Sequence, residues 1–364
     1  TIPYIGRYGL DSLRDASLWV YAAFAFVIAG LAGDAGLRGA ALAYRRYFPW
    51  FLAAFPLLAV LFIGFVGWIP LVPGTHGITL LFLKFGDVGV HLAGAGAFLA
   101  LGLYDRLSER RVPGASWIIW TLFAISAAVV FSLSRSGLVS IVAALGIVLV
   151  AKPLGAHWRL VPLGLIGVLL LFAVGQTGVS SRLEREVSVS QIAANVMSIF
   201  DSSSRTNQLG DNVRWRLRWW QRIADDTAFG ARRLTGRGYG VNLAKVDGFL
   251  GDSALDQKLR SPHSVHMTFL ARGGLPGLGL WVAFIAVFAA MQIAAYRRAS
   301  RCGHDVLARV VLFLLAYWVA FLVNASFDVF LEGPQGGIWF WCLTGLAMTA
   351  IATVRRETRL DAIR

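Results

Sequence analysis

Charge is scarce in this 364-residue chain: only 15% of residues are Asp, Glu, Lys or Arg, and 20 acids face 34 bases. Soluble domains carry about a quarter charged residues, so a water-exposed globule is excluded. Cysteine is limited to Cys302 and Cys342, in or near segments expected on the cytoplasmic side or inside a bilayer. That excludes a disulfide framework, and neither cysteine has metal-ligand spacing. A Walker A loop, a dinucleotide-binding glycine fingerprint and an Asp-x-Asp pair for a metal-bound sugar nucleotide are all missing. There is no internal repeat, no low-complexity tract and no cleavable signal. Any chemistry must run on an already activated, lipid-linked substrate.

What is abundant is apolar: 57% of residues, with a mean hydropathy of +0.64. Runs long enough to cross a bilayer, about 20 apolar residues, fall near 16–33, 48–72, 78–103, 115–133, 136–151, 160–177, 266–295, 307–326 and 336–354. The expected fold is an all-α polytopic membrane protein with nine visible spans. Basic residues punctuate alternate connections: Arg38, Arg45 and Arg46; Arg106, Arg110 and Arg111; Lys152 and Arg159; Arg297, Arg298, Arg301 and Arg309; Arg355, Arg356 and Arg359. By the positive-inside rule these connections and the tail are cytoplasmic, which leaves Thr1 outside. An outside start without an initiator methionine points to a trimmed sequence. The expected organisation is a membrane bundle over 1–177, a helical periplasmic subdomain over 178–262, a second bundle over 263–354 and a cytoplasmic tail over 355–364. The net charge of +14 comes almost wholly from arginine. It suits phosphate or lipid headgroups better than nucleic acid.

The polar stretch 178–262 holds 13 basic and 9 acidic residues, and loops of such length are usually functional. Within it Asp211 to Ile223 (DNVRWRLRWWQRI) reads as a helix leading into Gly236-Arg237-Gly238-Tyr239-Gly240. At 100° per residue Arg214, Arg218 and Arg222 form one stripe, a pattern that commonly faces solvent or headgroups. Arg216 falls instead among Leu217, Trp219, Trp220 and Ile223, where it must bind an anion or stack on tryptophan. Arg135, in Ser134-Arg135-Ser136-Gly137 at an outer turn, is either functional or snorkelling to headgroups. Asp87 and His91 are i, i+4 neighbours inside a span, and they either pack helices or orient a polar substrate.

His263 stands where the chain re-enters an apolar run. Ser261 as N-cap and Pro262 as first helical residue predict that His263 lies in a helix's first turn. The positive end of a helix favours a neighbouring anion and an uncharged imidazole, which suits a general base beside a phosphate. The alternative is a capping or interfacial histidine. His266 follows on the same face, but His-x-x-His without a third ligand is weak for zinc, so no metal or other cofactor is expected.

His263-Ser264, nine residues, Gly274, two residues and Gly277 resemble the signature of the bacterial O-antigen ligase and O-antigen polymerase superfamily (the WaaL and Wzy group). Ser134-Arg135-Ser136-Gly137, the Trp-Arg helix with the glycine turn after it, and Phe330-Leu331-Glu332-Gly333-Pro334 resemble that family as well. The resemblance implies a GT-C-like, metal-independent, inverting glycosyltransferase of about twelve spans in the inner membrane. It would work on the periplasmic side with an undecaprenyl-diphosphate-linked O-antigen donor and a lipid A core acceptor. His263 would deprotonate or orient the acceptor hydroxyl, and Arg216, with Arg135 and Arg214, would hold the leaving diphosphate. His266, Asp87 and His91 are secondary, acceptor-side candidates. The Trp-Arg helix and the Leu-Glu-Gly-Pro turn look more like the ligase branch than the polymerase branch. A lipid-linked glycan transporter is the non-enzyme alternative, but it predicts arginines along several spans and pseudo-symmetric halves.

Overall fold

A computed structural model describes residues 2–65, 67–73, 79–108, 114–151, 207–250 and 259–361. The apolar run 160–177 lies outside the described residues, as does all of 178–206. The regular secondary structure of the described residues is helical apart from one isolated bridge between Leu71 and Thr79. The helices are α1 (Ile2–Tyr8), α2 (Leu10–Val20), α3 (Ala23–Phe65), α4 (Phe85–Ala100), α5 (Leu103–Arg106), α6 (Ala115–Leu133), α7 (Arg135–Ala151), α8 (Asn207–Ile223), α9 (Leu243–Asp247), α10 (Val265–Arg301), α11 (Asp305–Ala325) and α12 (Pro334–Asp361). Five helical stretches among the described residues are long and apolar enough to cross a membrane: Leu10–Phe65, α6, α10, α11 and α12. Helices α4 and α7 are apolar but shorter. The chain is a multi-pass membrane protein.

Residues 34–47, expected to connect two spans, are helix instead. Helix α3 runs through them and breaks only at Gly33, whose φ of 50° and ψ of −165° suit glycine alone. The stretch is rich in Ala, Leu and Arg, all good helix formers. The fall in hydropathy there marks the end of an apolar surface, not of the helix. From Gly33 onward α3 is about 50 Å long, against about 30 Å of hydrocarbon, so its polar turns have room outside the bilayer core.

The chain forms two compact units. The first comprises residues 1–31, 202–294 and 325–348, the second 32–201, 295–324 and 349–364.

In the second unit α4 packs against α6 and α7. Contact is close because glycines face each other: a Cβ on Gly89 would lie 2.3 Å from the Gly137 Cα, and one on Gly94 would enter the Tyr317 ring. Small residues let helix backbones approach where lipid supplies no hydrophobic drive. Arg45 donates to the Tyr104 carbonyl (2.8 Å) and the Ser108 hydroxyl (2.7 Å), while Arg106 and Arg309 both pair with Asp305 at 2.9 Å. Basic groups from three separate segments, Arg45, Arg106 and Arg309, thus come together in this unit.

In the first unit Trp219, Ile223, Leu243, Ala244, Leu270 and Ala271 form a buried core that joins α8 and α9 to the start of α10. Residues 233–238 dock on α10 through backbone hydrogen bonds. Arg237 N–H donates to the Ala271 carbonyl (2.8 Å), Gly238 N–H to Arg272 (3.0 Å) and Leu275 N–H to Arg233 (2.7 Å). Helix α10 frees these carbonyls by breaking at Gly274, at φ 64° and ψ −160°. Arg237, 4% exposed, clamps the turn by reaching Asp226 (2.7 Å) and Asp247 (2.6 Å), and Asp247 also accepts the Trp219 indole N–H at 2.7 Å.

Candidate active site

Helix α10 starts at Val265, not at Pro262. The Ser264 carbonyl accepts its first hydrogen bond, from Thr268 N–H at 2.9 Å, so Ser264 occupies the N-cap position. His263 precedes it with φ 52°, the one positive φ outside glycine among the described residues. The expected first-turn placement fails because the preceding residues are bound elsewhere. The Trp220 indole N–H holds the Pro262 carbonyl at 2.7 Å, and the Ser261 hydroxyl bonds the Glu332 carboxyl. Histidine tolerates the left-handed region better than most residues, yet the conformation stores strain of the kind found at functional positions.

Around that bend the first unit assembles several groups distant in sequence. The Trp215 ring meets the His263 imidazole nearly edge to face, with centroids 5.9 Å apart. Asp328 Oδ1 stands 3.7 Å from His263 Nδ1. Arg216, from the same face of α8 as Trp215 and Trp220, donates to the Phe327 carbonyl at 2.9 Å. Burial pulls the Arg216 pKa below its ordinary value, and the nearby Asp328 charge opposes the shift. His263 and Arg216 therefore converge on the 327–328 turn. Arg214, Arg218 and Arg222 are exposed on α8.

His266 has a different setting. Indole nitrogen only donates, so the Trp281 N–H bond to His266 Nδ1 (3.1 Å) fixes the proton of a neutral ring on Nε2, which donates to Ser326 Oγ at 2.9 Å. Both ring nitrogens are occupied.

Arg135, Asp87 and His91 belong to the second unit. Ser134 caps α7 by accepting from Gly137 N–H at 3.2 Å, which puts Arg135 on the first turn. A cation there opposes the helix dipole, and a nearby anion would offset the cost. Asp87 accepts from Asn324 at 3.1 Å and lies 3.6 Å from Lys84, while His91 Nδ1 meets the Tyr317 hydroxyl at 2.6 Å.

A cavity of about 590 Å³ opens in the first unit beside His263. Its charged walls are Arg14, Asp15, Arg260, Arg272 and Glu332. Asp15 is 5% exposed and accepts from Arg272 at 2.7 Å, Arg260 at 3.3 Å and the Gly240 amide at 2.7 Å. Burial raises the Glu332 carboxyl pKa, while Arg272 and the Thr268 and Ser261 hydroxyls work against the rise. Sequence reading passed over Asp15, Arg260 and Arg272. A signal existed for Arg272, since the rule that singled out Arg135, a charge in an apolar run, applies to it equally. Asp15 and Arg260 show no local pattern. Among the described residues no cluster of three His, Cys, Asp or Glu side chains could hold a metal ion.

The chain is a multi-pass membrane protein with a strained histidine at the edge of an arginine-rich cavity. Residues 120–282, a little under half of the chain, match the sequence model of a family described as O-antigen ligase, a match that supports the O-antigen ligase superfamily. Members of that superfamily are glycosyltransferase-like enzymes, ligases and polymerases. The match spans Arg135, Arg216, His263, Gly274 and Gly277, and ends before Asp328 and Glu332. No curated protein matches the chain significantly.

Proposed function

We propose that this protein is an O-antigen ligase of the bacterial inner membrane. It transfers O-antigen from undecaprenyl diphosphate to a lipid A core sugar on the periplasmic side, with inversion and without metal. The observation that carries this reading is the convergence of His263 and Arg216 on the 327–328 turn, beside the cavity. With a proton on Nδ1 facing Asp328, His263 offers its Nε2 lone pair to an acceptor hydroxyl. As the hydroxyl's proton moves to Nε2, the hydroxyl oxygen bonds to the anomeric carbon and the bond to the diphosphate oxygen breaks. Charge grows on the leaving diphosphate, where Arg216, with Arg214, stabilises it.

The test mixes purified protein, undecaprenyl-diphosphate glycan and rough lipopolysaccharide in EDTA without nucleotide. A ladder on lipopolysaccharide is expected; elongated lipid-linked chains alone would make the enzyme a polymerase. His263→Asn is the control of choice, because asparagine also accepts a left-handed backbone. It should fold, insert and transfer nothing.

A further inference from the structure

The charges of the cavity do not balance. Of its three arginines, Arg272 is bound to Asp15 and to the Gly238 and Val241 carbonyls. Arg260 shares Asp15 with it and pairs with Asp11 at 3.3 Å. Its Nε–H is buried without an acceptor among the described residues. Arg14, exposed on α2, has no carboxylate within ion-pair distance among the described residues. The only other acid in the wall is Glu332, whose carboxyl burial pushes toward its neutral form. A positive excess therefore sits at Arg14. Across the same space are His263 and groups suited to sugar hydroxyls: Ser17, Tyr21, Ser261 and Thr268. At about 590 Å³ the cavity falls in the ordinary range for a bound small ligand. Arg216 is not in its wall.

Since the base must face the attacking hydroxyl, we propose that this cavity takes the acceptor, and that Arg14 selects acceptor sugars carrying a phosphate or carboxylate beside the reacting hydroxyl. The inference rests on the glycosyl-transfer reading above and adds an anion subsite apart from the leaving diphosphate.

The experiment measures initial rates of the full-length protein in detergent with wild type, Arg14→Gln and Arg14→Lys. Acceptors are rough lipopolysaccharide, the same material treated with phosphatase, and the same material with its carboxylates amidated. Binding of each acceptor to donor-free protein is read in parallel. Losing a charge-assisted hydrogen bond predicts that Arg14→Gln raises the acceptor KM and Kd about 10- to 100-fold. The donor KM should stay in place, and Arg14→Lys should recover part of the loss. One neutralised acceptor should show the same rise with wild type and no further rise with Arg14→Gln. Independent losses, or acceptor binding indifferent to charge, overturn the proposal, and an equal rise in donor KM would assign Arg14 to the diphosphate instead. Charge-dependent binding without any transfer would sink the ligase reading alone.

Discussion

Gly274→Ala offers a sharp test of how the His-Gly motif works. Gly274 has φ 64° and ψ −160°, a region open essentially to glycine, and a Cβ there would lie 2.5 Å from the Arg233 carbonyl oxygen and 3.0 Å from the Gly236 nitrogen. Both neighbours are backbone, so residues 233–236 must move. The conformational penalty is about 1–3 kcal/mol. The bonds from Leu275, Arg237 and Gly238 are put at risk, each worth about 1 kcal/mol. A loss of about 2–5 kcal/mol follows. Because Arg272 forms the cavity wall from the same turn, transfer should fall as well. A Cβ on Gly273 would meet nothing within 4 Å, and one on Gly277 would meet only the Phe269 carbonyl at 3.2 Å. Gly273→Ala should therefore be neutral or stabilising by a few tenths of a kcal/mol, and Gly277→Ala mild. The assay is thermal unfolding in detergent followed by tryptophan fluorescence, alongside ladder formation. A wild-type melt for Gly274→Ala, or an equal loss for Gly273→Ala, would refute the argument.

Arg216→Lys should cut transfer about 100- to 1000-fold, because an ammonium cannot reproduce a planar fork on two phosphate oxygens; Arg218→Lys, on the exposed face, should be nearly silent in the same gel assay. His266→Ala should do the reverse of His263→Asn, keeping transfer while lowering stability by about 1–3 kcal/mol, since it strips partners from the Trp281 N–H and Ser326. Arg237→Met should cost about 3–5 kcal/mol by leaving Asp247, 1% exposed, as an unpaired buried charge. Acid should also loosen this clamp. Burial pushes the Asp226 carboxyl upward, but Arg237 and Arg232 hold its pKa below the ordinary value. Its stabilisation is therefore present above the unfolded carboxylate pKa and fades as pH falls through the depressed folded one. A melting profile flat across that acid range would count against it.

Helical spans and a membrane setting were legible in the sequence, because crossing a bilayer is a local property. About 20 apolar residues whose backbone is satisfied within one helix suffice, and a window of that length reveals them. The motif from His263 to Gly277 and the anomalous placement of Arg216 were legible for the same reason. The continuation of α3 through Arg38, Arg45 and Arg46 was not, since hydropathy reports the lipid-facing surface while the helix follows backbone propensity. Nor was the bend at His263, which depends on Trp220 and Glu332 binding the residues before it. Only tertiary structure brought Asp15, Arg260 and Arg272 into one cavity with His263. A buried arginine needs an acid at hydrogen-bonding distance, and which acid supplies it is set by how helices far apart in the chain pack together, which no local window contains.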